Sequence, residues 1–242
     1  MRTNLVLIFL DDIMTKITMP FSVIVLGTLP IFSFAQIPAA HKQLAPAGWF
    51  VLSSAEGDLN KDGKPDIALV IEKQKIDVQI LKEDGKVLHN NPRKLMVLFN
   101  TIQGYKPVAE NAMLPPAEQQ NSCLMDPLAE TEGVVIKKHL LSIEFSYFMS
   151  CGGWEWPKHR YTFRWQNKKF ELIGFDYSSF HRASGEETHK SYNFSTKKRK
   201  EILGGNMFED SKTQIKWSNF QSKFNFTLQN INFDDFYTQF NY

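Results

Sequence analysis

Three aspartates and one asparagine fall within a nine-residue stretch, Asp58-Leu-Asn60-Lys-Asp62-Gly63-Lys64-Pro-Asp66. Side-chain oxygens stand at loop positions 1, 3, 5 and 9, Gly63 at position 6 permits a sharp turn, and Lys64 brings its carbonyl to position 7. That is the spacing of an oxygen cradle for Ca2+, with Asp58, Asn60, Asp62, Lys64 and Asp66 as metal ligands. Three carboxylates so close together repel one another unless a cation neutralises them. The chemistry implied is ion binding that fixes a turn, not a reaction. The same residue types also suit a metal-free polar turn, which is the competing reading.

The elements around the loop are extended. A helix-flanked EF-hand carries a bidentate glutamate at position 12, where this chain has Leu69. Ile67-Ala-Leu69-Val-Ile71-Glu is an apolar, β-branched run that predicts a strand, and Gly48-Trp-Phe-Val-Leu-Ser upstream predicts another. The stretch Gly57 to Val70 resembles the calcium loop of FG-GAP and integrin-type propeller repeats, which share an Asp-x-Asx-x-Asp-Gly-x-x-Asp core followed by a hydrophobic strand. That resemblance implies a calcium-loaded strand-loop-strand in a secreted protein. It covers a single copy of the motif. The whole chain is also similar to bacterial exported proteins with one such loop near the mature N-terminus and aromatic strands behind it.

Other patterns point less far. There is no Gly-x-Ser-x-Gly elbow, no His-Glu-x-x-His zinc helix and no Walker loop, so no catalytic residues are assigned. His181 and His189 flank a polar turn and could face one another across a hairpin, but no third metal ligand accompanies them. In Ser150-Cys151-Gly152-Gly153-Trp154 a thiol nucleophile is conceivable with His159 nearby. A structural disulfide running into a glycine bend explains the same residues more simply. Lys197-Lys-Arg-Lys200 reads as a solvated turn rather than a phosphate site. Asn193 and Asn225 open glycosylation sequons that strand alternation also generates by chance.

Composition and termini bound the class. Phe21 to Phe34 is apolar, Lys16 supplies a basic flank, and Ser33-Phe-Ala35 places small residues before a cut. Residues 1–35 therefore read as a signal peptide, with Met14 or Met19 as alternative starts because Asp11-Asp12 suits such a leader poorly. The apolar run is shorter than the ~20 residues that span a bilayer, and no later segment is long enough either. A net charge of +2 gives no argument for nucleic acid as a partner. Cys123 and Cys151 are the only cysteines, and an oxidising compartment would let them pair.

The expected fold is mainly β: an antiparallel sheet or sandwich forming a single domain over 36–242. Alternation in Tyr161-Thr-Phe163-Arg-Trp165, a turn at Asn167-Lys-Lys and a return through Phe170 to Tyr177 predict a hairpin. Further strands are expected at 96–100, 133–137, 140–148, 190–195 and 224–228. Segments 39–46, 82–92 and 111–128 are expected to be irregular, with a short helix near 230–240. The aromatic C-terminus is expected to pack on the sheet. Together these readings describe an exported, periplasmic or secreted, calcium-binding protein, read as a non-enzymatic binding or interaction protein. Its partner would be a protein or glycan of the cell envelope. An envelope-directed hydrolase is the alternative.

Overall fold

The computed structural model describes residues 37–74, 80–81, 87–88, 90–118, 123–222 and 224–236. The expected leader, parts of the 82–92 segment and the tail beyond 236 lie outside them. A one-turn helix, α1 (Ala39–Lys42), occupies part of the stretch expected to be irregular. It is followed by β1 (Trp49–Gly57), β2 (Asp66–Lys73), the two-residue β3 (Ile80–Leu81) and β4 (Val87–Leu88), β5 (Arg93–Thr101) and β6 (Gly104–Asn111). Then come β7 (Val134–Lys137), β8 (Leu140–Ser146), β9 (Lys158–Gln166), β10 (Lys169–Phe180), β11 (Glu186–Asn193), β12 (Lys198–Asn206) and β13 (Gln214–Asn219). The pairings are antiparallel throughout. A four-stranded sheet runs β1-β2-β5-β6, a seven-stranded sheet runs β13-β12-β11-β10-β9-β8-β7, and β3 pairs with β4.

The small sheet explains the unbroken apolar run after the loop. One face of β2 and β5 gives Ala68, Val70, Leu95 and Val97 to a large core that also contains Leu141, Ile143, Phe145, Tyr161, Phe163 and Phe175 of the seven-stranded sheet. The other face gives Ile67, Leu69, Ile71, Met96 and Leu98 to a second cluster, closed by Leu44, Ala45, Trp49, Val51 and Tyr105. A strand buried on both faces has no polar side to alternate with, so its sequence is continuous rather than period-two.

The seven-stranded sheet is one-sided. Cross-strand register places Ile143, Tyr161, Phe175 and Tyr192 in one inward row. The next row over, facing outward, is Glu144, Arg160, Asp176, Ser191, Lys200 and Trp217. The Arg160–Glu144 pair closes at 2.6 Å on that outer face. The hairpin β9–β10 turns through Asn167 and Lys168, both at positive φ (52° and 57°), as its Asn-Lys-Lys sequence suggests.

Several predicted elements changed. The expected strand at 224–228 contributes only a bridge, Thr227 to Glu171, with Leu172 N–H donating to the Phe226 carbonyl and Leu228 N–H to that of Phe170. It occupies the place beside β10 that β11 leaves once its pairing ends at Asn193. Residues 233–235 form a turn. Of the C-terminal aromatics, Phe226, Phe233 and Phe236 are buried beside Leu228 and Ile231, Phe224 is exposed, and Tyr237 and Phe240 lie outside the described residues. Asn111 clamps this segment, its amide donating to the Leu228 and Ile231 carbonyls at 2.7 Å each.

The excursion expected at 111–128 is docked at several points. The Cys123–Cys151 disulfide is present, with Cα atoms 5.4 Å apart. Buried Arg93 reaches Glu72 at 2.7 Å and grips Asp126 through both terminal nitrogens at 2.7 and 2.6 Å. Those two carboxylates hold its guanidinium charged against the burial that opposes it. Gly133, at φ 66°, ends the excursion; a Cβ there would lie 2.3 Å from Ser53 Oγ.

Candidate metal loop and an aromatic hollow

The loop between β1 and β2 is folded by its own oxygens. Asp58 Oδ1 accepts the N–H groups of Lys61 at 2.7 Å and Asp62 at 3.2 Å, and its Oδ2 accepts that of Gly63 at 3.2 Å. Asn60 Oδ1 accepts Asp62 N–H at 2.9 Å, and Asp62 Oδ1 accepts Lys64 N–H at 2.9 Å. Lys61 and Gly63 take positive φ, 68° and 82°. Gly63 is the residue that adopts this conformation without steric cost, as its place at the sixth loop position requires. Leu59 is buried in the main core and pins the loop's first turn.

Asp66 differs from the others. It opens β2 and is 0% exposed. Its Oδ2 accepts Leu59 N–H at 2.8 Å and Asn60 N–H at 3.3 Å, while Oδ1 accepts Asn100 N–H at 3.0 Å from β5. Burial pushes its carboxyl above the usual carboxylate range, against the pull of these three amides, and the nearby Asp62 charge adds to the rise. From the β7–β8 turn, His139 Nδ1 donates to the Asp58 carbonyl at 2.7 Å, leaving Asp58 Oδ2 3.7 Å away.

All five sequence-predicted ligand positions therefore lie on one turn, and every donor they offer is oxygen, the type a hard cation such as Ca2+ takes. The carboxylates are turned toward backbone N–H groups. Among the described residues, no three His, Cys, Asp or Glu side chains converge as a ready metal cluster. Carboxylate oxygens have further lone pairs beyond the amides they accept, so the donor set fits calcium in chemistry.

The histidine and cysteine patterns resolve differently. His189 sits opposite Ser178 and Ile202, while His181 bends away and stacks on Trp154, so the two are not brought together. Cys151 is in the disulfide, and His159 is buried among Tyr147, Phe175 and Tyr177. Burial lowers the His159 pKa to about 4. Of the basic run, Lys198 to Lys200 lie in β12 and Lys197 in the turn before it.

A second region escaped the sequence reading. Beside the disulfide, a hollow of about 730 Å³ is lined by Trp154, His181, Glu155, Tyr147, Met149 and Asp234, among others. Trp154 is 60% exposed, its indole stacked on His181 with ring centres 5.8 Å apart and planes 20° apart. The loop that carries it is held firmly. Arg182 donates to the Met149 and Gly153 carbonyls at 2.9 Å each, and its N–H to the Trp154 carbonyl at 2.7 Å, with its guanidinium 4.7 Å from the Phe148 ring centre. The signal was present as an indole following two glycines and a cysteine, but its partners come from distant positions. Comparison with protein-family models, with curated proteins and with solved structures gives no match for this chain. Among the described residues no helix is long and apolar enough to cross a membrane.

Proposed function

We propose that this is an exported, non-enzymatic binding protein whose 58–66 loop takes a calcium ion. The observation that carries the reading is the loop itself: Asp58, Asn60, Asp62, the Lys64 carbonyl and Asp66 gathered on one turn whose backbone their own side chains already fold. The likeness to FG-GAP calcium loops supports it. An ion here would neutralise the three carboxylates and lock the joint between β1 and β2, coupling stability to metal. The paired cysteines and the apolar leader support export, since disulfides persist in oxidising compartments.

The binding role rests on surface rather than on reaction chemistry. Exposed Trp154, Trp217, Ile215 and Phe208 offer apolar contact outside the core. Calorimetric titration of the metal-stripped chain with Ca2+ tests the metal half of the proposal: one bound ion per chain supports it, and no heat of binding overturns it. Loss of that heat in Asp62→Ala assigns the ion to this loop.

A further inference from the structure

We propose that the hollow beside Trp154 binds a small organic ammonium ion. The proposal deepens the binding-protein reading by giving the ligand a chemical class, and it is independent of calcium. Its first support is charge. Glu155 and Asp234 line the hollow, and among its described lining residues there is no lysine or arginine. The remaining basic side chain there, His181, accepts the Ser184 N–H at Nδ1, 3.1 Å away. The hollow therefore presents two carboxylates with no lysine or arginine in its lining, and Arg182, behind the Trp154 loop, directs its guanidinium to the Met149 and Gly153 carbonyls. Glu155 is oriented by the Ser179 hydroxyl. Asp234 is partly buried with Asp235 beside it, and both effects raise its pKa.

The second support is the kind of surface between those carboxylates. Trp154, stacked on His181 by one face, and Tyr147 put aromatic rings in the lining, and the indole is the aromatic side chain that attracts a cation most strongly. Leu124, Met149 and Pro157 supply apolar wall for the carbon body of the ligand. A bare divalent ion wants six or more oxygens and would gain little from such walls. A neutral sugar wants many hydrogen-bonding partners, and few are on offer. An alkylammonium group wants an aromatic face with a nearby carboxylate, and both are here. The volume, about 730 Å³, lies within the ~300–1,000 Å³ span of small-ligand sites. The disulfide and the Arg182 clamp hold the Trp154 loop in place before any ligand arrives, which lowers the ordering cost of binding.

The test is a titration of the full chain with choline and, separately, with its uncharged carbon isostere 3,3-dimethylbutan-1-ol, read on the Trp154 indole N–H resonance and by calorimetry. The account expects saturable choline binding at least ~10-fold tighter than the isostere, since the two differ only in charge. Trp154→Ala and Glu155→Gln should each weaken it about fivefold or more, with Asp234→Asn as a second charge variant and circular dichroism confirming the fold. Equal binding of the isostere, no choline binding, or binding only of a lysine-bearing peptide or a neutral glycoside overturns the proposal. Calcium titration of the same sample distinguishes this failure from failure of the metal reading, because the Asp58–Asp66 loop contributes no lining residue to the hollow.

Discussion

The 58–66 loop and the Trp154 loop are both tied down by several bonds, but by opposite routes. The first is stapled mainly from within: Asp58, Asn60 and Asp62 accept amides two to five residues away, while Asp66 to Asn100, His139 to Asp58 and Tyr105 to the Pro65 carbonyl tie it to distant chain. The second is stapled from outside, by a disulfide across 28 residues and by Arg182 reaching back to Met149 and Gly153. The internal staple is anionic and invites a cation to complete it. The external staple leaves side chains such as Trp154 free to face a ligand. Local carboxylate turns suit ions, and long-range clamps suit preorganised surfaces.

The comparison is broken most strongly at Asp66. Asp66→Ala strips acceptors from three amides, including the buried Leu59 N–H, and should cost about 4 kcal/mol in denaturant unfolding. If the two regions are independent, the hollow still binds choline in conditions where this variant remains folded. Replacing both Cys123 and Cys151 by serine should cost about 3.5 kcal/mol in the chain-entropy account, read as a lowered unfolding midpoint, while calcium affinity stays within about twofold.

Acid separates two buried groups, His159 and Asp66, whose titrations affect stability with opposite sign. His159 lies beneath Tyr147, which lines the hollow, and its pKa is lowered to about 4 by burial. The unfolded chain then binds the extra proton first, so stability should fall as pH drops from about 6.5 toward 4, by on the order of 3 kcal/mol in total. His159→Phe should flatten that part of the pH profile. Asp66 has its pKa raised by burial, so the folded, ion-free chain holds its proton more tightly than the unfolded one. Its contribution is present at low pH and is lost as pH rises through the folded value. The smallest effect is expected at Arg182→Ala, about 2 kcal/mol, from two carbonyls left without their donor. That variant should weaken choline binding and leave calcium binding unchanged.

What could be read in the sequence follows the same division. The 58–66 turn was legible because its oxygen-bearing residues are contiguous, and β2 because burial on both faces leaves an unbroken apolar run. The β9–β10 hairpin was legible from alternation and its Asn-Lys-Lys turn. The two-residue β3 and β4 were not, with β4 inside the 82–92 segment expected to be irregular, and in the larger sheets three strands were not. β6 contains Pro107, which strand reading rejects; the structure accepts it at the edge of the small sheet, at a register shift opposite Leu98. β12 carries its basic residues within the strand, where a charge run suggested a turn. β13 is the edge of the large sheet with Ile215 and Trp217 both exposed, so it lacks the half-buried alternation by which strands are recognised. The hollow joins positions 124, 147–157, 181 and 234, and no window of sequence contains them together.

The most direct test of the central claim is the melting temperature of the metal-stripped chain in EDTA against the same chain in millimolar Ca2+. The account predicts a clear rise with calcium, on the order of 5 °C for a binding contribution of a few kcal/mol, abolished by Asp62→Ala. Superimposable melting curves would contradict it.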